Sequence, residues 1–347
     1  MDKHRIILSR WLLSVLFLLI VGCEVKQPKV YPFIYTGSIM GTSFSIKAAH
    51  LPEDKTVKQV QQLVKVRLDA INQGMSTYIA ESELSRLNQK KSIQAQPVSP
   101  ALFKVLQTAE EISLLSLGAF DITIAPLVNL WGFGPDIMLY QAPDPKAVTD
   151  LLAQTGYQKL SLKAEQKTVQ KQVPALSMDL SALAKGYAVD EAALVLEQQG
   201  MHDYLVEIGG EIRLKGLNLQ GKKWRIAIEK PNIHQRELQK VLPITDIAMA
   251  TSGDYRNFFE QDGQRFSHTI DPRTGSPIKH KLASVTVLHR FSMYADAWAT
   301  ALMVLGEDQG YKIAEEQQLA VFFIIKTETG FAERATPLFT EYTKVLK

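Results

Sequence analysis

Two turn signals restrict the fold of this chain more than any other feature of its sequence. A diglycine at residues 209–210 marks a turn or bulge between strand-like residues 204–208 and 211–214. An Asp-Gly pair at residues 262–263 joins two further strand-like segments into a hairpin. Tight turns pair strands antiparallel, and helical segments interrupt the other strands irregularly. The sequence therefore predicts an α+β fold with mixed or antiparallel sheets packed against helices, rather than a doubly wound parallel sheet.

Three helices are marked by their spacing and their ends. Residues 56–72 place apolar side chains at helical intervals, which predicts an amphipathic helix that covers a sheet. A Ser-Pro pair at residues 99–100 is an N-cap followed by Pro at the first helical position, and this helix should run to Gly118. Residues 178–190 predict a strand that leads through small residues into a helix ending at Gly200.

Length and composition indicate a globular protein that binds no nucleic acid. The chain has 347 residues, 46% of them hydrophobic, which suffices for one large domain with two lobes. The formal charge of +3 comes largely from the N-terminus. Without residues 1–22, which include three basic residues and one acidic residue, it falls to +1. This balance provides no basic field for nucleic acid.

The N-terminus has the pattern of a secretory signal. Basic residues precede an apolar run at residues 11–21, which is short for a membrane span and ends in Ile-Val-Gly-Cys. The cysteine, Cys23, is the only one in the chain. This pattern resembles a bacterial lipobox and predicts a signal peptide at residues 1–22, lipidation of Cys23 and a tether over residues 23–35. An ordinary anchor helix with an incidental cysteine is the alternative.

If Cys23 is lipidated, the mature chain has no disulfide, and its stability depends on its core. We then expect a lipoprotein of the cell envelope that faces the periplasm, with its folded domain at residues 36–347. The inner membrane is our prediction for the anchor, and the outer membrane stays open.

Residues 266–301 contain the groups needed to handle a phosphate-bearing ligand. His268 and Asp271 lie beside a Pro-Arg-Thr-Gly turn, and Asp296 and Thr300 are four residues apart in a predicted helix. That spacing puts the last two side chains on one helix face, where both could contact one cation. Structural explanations also stay open, because an Asx-type turn would explain Asp271 and the helix dipole would explain Asp296.

A second candidate phosphate site lies at residues 178–190. A strand-to-helix turn presents free backbone N–H groups, and Lys185 adds a mobile positive charge. The glycine spacing fits neither a Walker loop nor a Rossmann fingerprint.

Seven motifs together resemble the ApbE family of FAD:protein FMN transferases, in the family's order and over nearly the whole mature chain. They are Met40-Gly41-Thr42, Gly118-Ala119-Phe120-Asp121, Asp179-Leu180-Ser181-Ala182-Leu183-Ala184-Lys185-Gly186, Glu207-Ile208-Gly209-Gly210-Glu211, Ser252-Gly253-Asp254-Tyr255, His268-Thr269-Ile270-Asp271-Pro272-Arg273-Thr274-Gly275 and Ala295-Asp296-Ala297-Trp298-Ala299-Thr300.

The resemblance implies an enzyme that uses Mg²⁺ to split FAD, releases AMP and joins FMN to a threonine or serine hydroxyl of a redox protein. By motif, the metal would be held by Asp296, Thr300 and the carbonyl of Ala182. From the residues alone, Tyr78 is expected in the core. The resemblance instead implies that it belongs to the FAD site, whose residues would be Met40, Tyr78, Ala119, Phe120, Asp121, Asp179, Lys185, Ile270 and Ala299.

A hydroxyl nucleophile requires a base, and His268 is the candidate closest in sequence to the metal helix. Asp271 would either orient that imidazole or cap the turn. Two other functions use the same pocket: a pyrophosphatase that hydrolyses FAD to FMN and AMP, and a lipoprotein that binds FAD without chemistry. The resemblance implies an acceptor in an exported or membrane electron-transfer complex.

Overall fold

The computed structural model describes residues 32–344, except residues 135–140, 233–236, 255–257 and 262. The predicted signal peptide and Cys23 lie outside the described residues. Within them, no helix is both long enough and apolar enough to cross a membrane. Contacts group Pro32–Lys347 into one unit.

An eight-stranded sheet forms the centre of the fold, and every neighbouring pair of its strands is antiparallel. The predicted diglycine hairpin is confirmed between its third and fourth strands. In spatial order the strands are β1 (Phe33–Ile39), β2 (Thr42–Ala48), β6 (Tyr204–Ile208), β7 (Glu211–Lys215), β10 (Ile247–Gly253), β15 (Leu282–His289), β16 (Ala320–Thr327) and β17 (Gly330–Ala335).

Smaller sheets and eight described helices surround this sheet. The smaller sheets consist of β3 (Gln96–Pro97), β5 (Thr168–Lys171) and β4 (Leu160–Lys163); β8 (Trp224–Glu229) and β9 (Leu238–Ile244); β11 (Phe258–Gln261) and β12 (Gln264–Ser267); and β13 (Ile270–Asp271) and β14 (Ser276–Pro277). The helices are α1 (Val57–Met75), α2 (Glu83–Gln89), α3 (Pro100–Leu115), α4 (Ala125–Leu130), α5 (Pro145–Leu152), α6 (Ala184–Gln198), α7 (Ser292–Glu316) and α8 (Pro337–Thr343).

Apolar side chains cover both faces of the central sheet. On one face, residues of α1, α6 and α7, such as Val64, Val189 and Leu302, form one core with sheet residues that include Ile46. On the other face, the β8–β9 hairpin and α8 cover a second core, in which the rings of Phe322 and Phe339 stack 5.3 Å apart. Burial of these side chains is the main source of stability.

A third apolar cluster lies around Trp131, separate from these two cores. Trp131 beside α4 packs against the β11–β12 hairpin, with its ring 5.6 Å from that of Phe266. The Trp131 indole donates a 2.8 Å hydrogen bond to the Gly275 carbonyl, which ties the cluster to the β13–β14 turn. The hairpin predicted at residues 262–263 therefore contributes to this cluster.

Local signals set several helix ends. Thr56 and Gln59 form a reciprocal capping box, so α1 begins where it was predicted and continues three residues beyond residue 72. Ser99 caps α3, which ends at Leu115; the helix was predicted to reach Gly118, which instead has a φ of +78° and follows the helix. Helix α7 contains a kink at Gly306, where φ is also +78°.

Two predicted boundaries are wrong. Strand β1 begins at Phe33, whose side chain is buried in the core, so residues 33–35 do not belong to the tether. The strand expected at residue 178 is reduced to one isolated bridge between Ile124 and Ser177. The reason is that the Asn88 side-chain amide bonds both backbone groups of Met178, at 2.9 and 2.8 Å, in place of a neighbouring strand.

Candidate active site

A cavity of about 810 Å³ lies beside the C-terminal end of β10, the N-terminal end of α6 and the N-terminal half of α7. It brings together residues from segments that are far apart in the sequence, as a ligand site requires. Among the sequence-predicted residues, those that line it are Tyr78, Asp179, Ala182, Lys185, His268, Ile270, Asp296 and Thr300.

A lysine and two buried carboxylates form the charged part of this cavity. The Lys185 Nζ atom lies 3.3 Å from Glu211 Oε1 and 3.5 Å from Asp296 Oδ2. Lys185 also donates to the Ser181 carbonyl at 3.3 Å. Glu211 and Asp296 are only 5% and 4% exposed, so their charges are weakly screened by water.

Close packing of α6 against α7 positions Asp296. A Cβ atom at Gly186 would lie 2.7 Å from Met293 Cα and would overlap the Ser292 carbonyl, so only glycine allows this approach. The Gly186 N–H, free in the first turn of α6, donates to Asp296 Oδ2 at 3.0 Å. The carboxylate is therefore fixed by the neighbouring helix as well as by its own.

Burial changes the protonation of this cluster. Burial raises the pKa of Asp296, although Lys185 and the Gly186 N–H oppose the change. Burial also raises the pKa of Glu211 to about 8, against the effect of Lys185 and with a contribution from Asp296. Burial alone would lower the pKa of Lys185, but the two carboxylates outweigh it and raise that pKa. The lysine therefore keeps its charge at neutral pH.

The predicted metal ligands have the chemistry that Mg²⁺ requires. Asp296 and Thr300 lie one turn apart on α7, and Thr300 Oγ1 is 3.4 Å from Ser252 Oγ. Because the Gly186 N–H bonds to Asp296, no backbone N–H of the described residues donates to the Ala182 carbonyl. The described part of the chain contains no cluster of three or more His, Cys, Asp or Glu that could hold a metal. One carboxylate with neutral oxygens suits a cation that takes its other ligands from substrate phosphate and water.

His268 lies in the short segment between β12 and β13, and its ring meets the edge of Phe133 at a centroid distance of 6.3 Å. It lines the cavity, as the predicted base must. Asp271, in contrast, is bound by Arg273, with Nε 2.9 Å from Oδ1 and Nη2 2.8 Å from Oδ2. Its Oδ1 also accepts the Arg273 backbone N–H at 2.9 Å. These contacts give Asp271 the turn-capping role; orientation of His268 by Asp271 stays a prediction without support from them.

Tyr78 corrects the expectation drawn from the residues alone. Its side chain is 73% exposed and lines the cavity, whereas a core position was expected. The turn between α1 and α2 places it there, because Ser82 caps α2 and also bonds the Ser76 carbonyl. An exposed aromatic ring at a cavity suits stacking on a ligand ring.

The remaining predicted FAD residues do not line the cavity. Ala119, Phe120 and Ala299 are at most 2% exposed, and Met40 lies in the β1–β2 turn with a φ of +51°. Asp121 is buried and accepts hydrogen bonds of 2.7 Å from the Thr123 backbone, the Thr123 hydroxyl and the Tyr157 backbone. Their part in FAD binding stays a prediction, and Asp121 already has a structural role.

Sequence reasoning gave no role to several polar residues of the cavity, among them Glu211 and Ser252. Both belong to motifs that were recognised, the diglycine hairpin and the Ser-Gly-Asp-Tyr segment, but neither was assigned a role. A carboxylate directly after a diglycine turn was the available signal for Glu211, because such turns bring the backbone close to a ligand.

Comparison with known proteins agrees with this geometry. The sequence profile of the ApbE family matches residues 40–323. The chain belongs to the ApbE family. An FAD:protein FMN transferase of Vibrio cholerae is 45% identical over 336 residues, which cover 96% of this chain and 99% of the relative. The FAD:protein FMN transferase of Escherichia coli strain K12 is 39% identical over 332 residues, covering 94% of each chain.

Solved ApbE structures have the same fold. The flavin transferase ApbE from Vibrio cholerae superposes with a TM-score of 0.84 at 44% identity, over 90% of this chain and 99% of that one. The apo form of the Pseudomonas stutzeri flavinyl transferase ApbE gives a TM-score of 0.83 at 36% identity, over 92% and 99% of the two chains. The predicted family and the α+β fold class are confirmed.

Proposed function

We propose that this protein is an FAD:protein FMN transferase that moves the FMN part of FAD to a threonine or serine hydroxyl of an acceptor protein and releases AMP. The observation that carries the proposal is the cavity that joins His268, Lys185, Asp296 and Thr300. Membership of the ApbE family and the printed activity of its relatives support it.

The transfer makes one bond and breaks one. The acceptor hydroxyl oxygen bonds to the phosphorus of the FMN phosphate, and the bond from that phosphorus to the oxygen bridging to AMP breaks. The bridging oxygen leaves with AMP, and the hydroxyl proton passes to the His268 imidazole. A histidine suits this task because its ordinary pKa lies near neutral pH.

Residues around the cavity would bind and orient the two substrates. Asp296, Thr300 and the Ala182 carbonyl would hold Mg²⁺, since they line the cavity and combine one carboxylate with two neutral oxygens. Bound magnesium would neutralise pyrophosphate charge and stabilise the departing AMP. The Lys185 ammonium would pair with the remaining phosphate charge, and the exposed Tyr78 ring would stack on a ring of FAD.

The place of action is also part of the proposal. A lipid on Cys23 would anchor the protein in the cell envelope, facing the periplasm, within reach of exported or membrane-bound electron-transfer proteins. The basic, apolar and Ile-Val-Gly-Cys segments at the N-terminus support this location.

The proposal is tested with the full chain in detergent, FAD, Mg²⁺ and an acceptor domain that exposes a threonine in a small-residue motif. The acceptor should stay fluorescent on a denaturing gel, gain the mass of FMN less water and appear together with an equal amount of AMP. Free FMN and AMP without a labelled acceptor would indicate a pyrophosphatase. Intact bound FAD would indicate a binding protein, and either result would refute the transferase.

Loss of His268 separates chemistry from binding. His268→Ala should bind FAD normally but transfer FMN about 10²- to 10⁴-fold more slowly, because a general base is lost while binding contacts remain. His202→Ala is the matched control, since His202 is exposed and does not line the cavity. Equal slowing of both variants would contradict the assignment of the base.

A further inference from the structure

Glu211 lines the cavity, but the chemistry proposed above does not use it. It begins β7, is 5% exposed and faces Lys185 at 3.3 Å through Oε1. Its other oxygen, Oε2, is buried without a hydrogen-bond partner among the described residues. A buried carboxylate is costly unless it is paired. Because the pairing partner of Glu211 is Lys185, we look for a role of Glu211 that involves this lysine.

Lys185 stands where it would compete with a metal ion. Its ammonium is 3.5 Å from Asp296 Oδ2, the atom that also accepts the Gly186 N–H. A divalent cation on Asp296 would therefore meet a positive charge in a poorly screened site. The ammonium must move away from Asp296 for the cation to bind there.

The glycine at position 209 lets the Lys185 side chain lie directly beside Glu211. Gly209 has a φ of +65°, and a Cβ atom there would lie 3.3 Å from both the Lys185 Cδ and the Glu211 Oε2. The missing side chain leaves room for the lysine stem beside the carboxylate. Besides Asp296, Glu211 is the carboxylate paired with this ammonium: its Oε1 lies 3.3 Å from Lys185 Nζ, and its Oε2 borders the Gly209 position.

We propose, on the basis of the transferase function above, that Glu211 is a positioning residue that draws the Lys185 ammonium off Asp296 and so opens Asp296 to a divalent cation. Lys185 then stays at the cavity wall, where it can pair with substrate phosphate. Glu211 acts through Lys185 and does not itself touch the metal or the substrate.

The test measures binding of Mg²⁺ alone, by calorimetry on the full chain in detergent, without FAD or acceptor. The pH is held at about 9, above the raised pKa of Glu211. Glu211→Gln should weaken Mg²⁺ binding about ten-fold, because the ammonium then stays on Asp296. Adding Lys185→Met to this variant should restore binding at least to the wild-type level. Glu197→Gln is the matched control, an ion-paired glutamate of α6 outside the cavity.

Three results would overturn the proposal. One is unchanged Mg²⁺ affinity in Glu211→Gln, and another is failure of Lys185→Met to restore it. The third is absence of Mg²⁺ binding by the wild type. A thermal melt of each variant shows whether weaker Mg²⁺ binding is caused by unfolding. If Glu211 has only a structural role, Glu211→Gln should have a lower melting temperature, and adding Lys185→Met should not restore it. FMN transfer is assayed separately, so these results leave the transferase proposal to its own experiment.

Discussion

Substitution of Gly186 by alanine should both destabilise the protein and damage the candidate metal site. The new Cβ would start 2.7 Å from Met293 Cα and overlap the Ser292 carbonyl, whereas ordinary contact begins at 3.4 Å, so α6 and α7 must separate by at least about 0.7 Å. The clashing atoms belong to the backbone of α7, so no side-chain rotation can relieve the overlap. Overpacking of this kind costs roughly 1–3 kcal/mol, of which better helix propensity offsets about 0.5–1 kcal/mol.

We therefore expect Gly186→Ala to lose about 1 kcal/mol in the free energy of unfolding, or about 1–2 °C in melting temperature for a domain of this length. The same shift moves the Gly186 N–H away from Asp296, so the variant should also need more Mg²⁺ for transfer. Gly74→Ala in α1 is the matched control, because nothing lies within 4 Å of its Cβ position. It should gain about 0.5 kcal/mol.

Urea unfolding of both variants, with Mg²⁺ titrations of FMN transfer, measures the two effects. If Gly186→Ala proves as stable as Gly74→Ala and needs no more Mg²⁺ than the wild type, the close approach of α6 to α7 does not position Asp296.

Three further predictions concern charge and anchoring. Asp296→Asn should lose most Mg²⁺-dependent transfer and still melt near the wild-type temperature, because it removes a carboxylate from a hard-cation site. Normal turnover of this variant at low Mg²⁺ would contradict the ligand assignment. A much lower melting temperature would show that Asp296 is a structural residue. Since the folded-state pKa of Glu211 is raised to about 8, its contribution to stability is complete below its ordinary pKa and is lost as pH rises through about 8. As the pH rises from about 5 to 8, the free energy of unfolding of Glu211→Gln should therefore fall less than that of the wild type. If urea unfolding gives the two proteins parallel curves of this free energy against pH, the prediction is refuted. Cys23→Ser should abolish processing of the signal peptide or release the protein from membranes. Mass spectrometry and membrane fractionation of the variant and the wild type would detect either effect. An unmodified internal Cys23 in the wild type would count against lipidation.

Local signals in the sequence predicted much of the fold. The helical spacing that begins at residue 56, the Ser99 cap and the diglycine hairpin each depend on nearby residues, and the structure has an element boundary at each. The predicted strand at Met178 failed for the opposite reason. Its backbone is bonded by Asn88, 90 residues earlier in the chain, and no local pattern reveals such a partner.

The candidate site shows the same difference between local signals, which the sequence reveals, and distant contacts, which it does not. Asp296 and Thr300 share one helix face, so their proximity followed from helical spacing alone. The grouping of Lys185 with Glu211 and Asp296 depends on the packing of α6 against α7 and on the strand order, which spacing does not encode. Family motifs selected the right segments of the chain, but they did not distinguish Asp121, whose carboxylate is used within its own loop, from residues that line the cavity.

The strand order of the central sheet also determines when the chain can fold. Strand β2 ends at Ala48, and its second neighbour, β6, begins only at Tyr204. Until that residue is available, β1 and β2 can form only an isolated hairpin, which is marginally stable in water. Pairings between such distant segments are slow, because a long loop must close before any contact forms. A chain synthesised from its N-terminus therefore leaves one edge of β2 without a partner strand until more than half of the chain has been made, and we expect it to be most prone to aggregation during this interval.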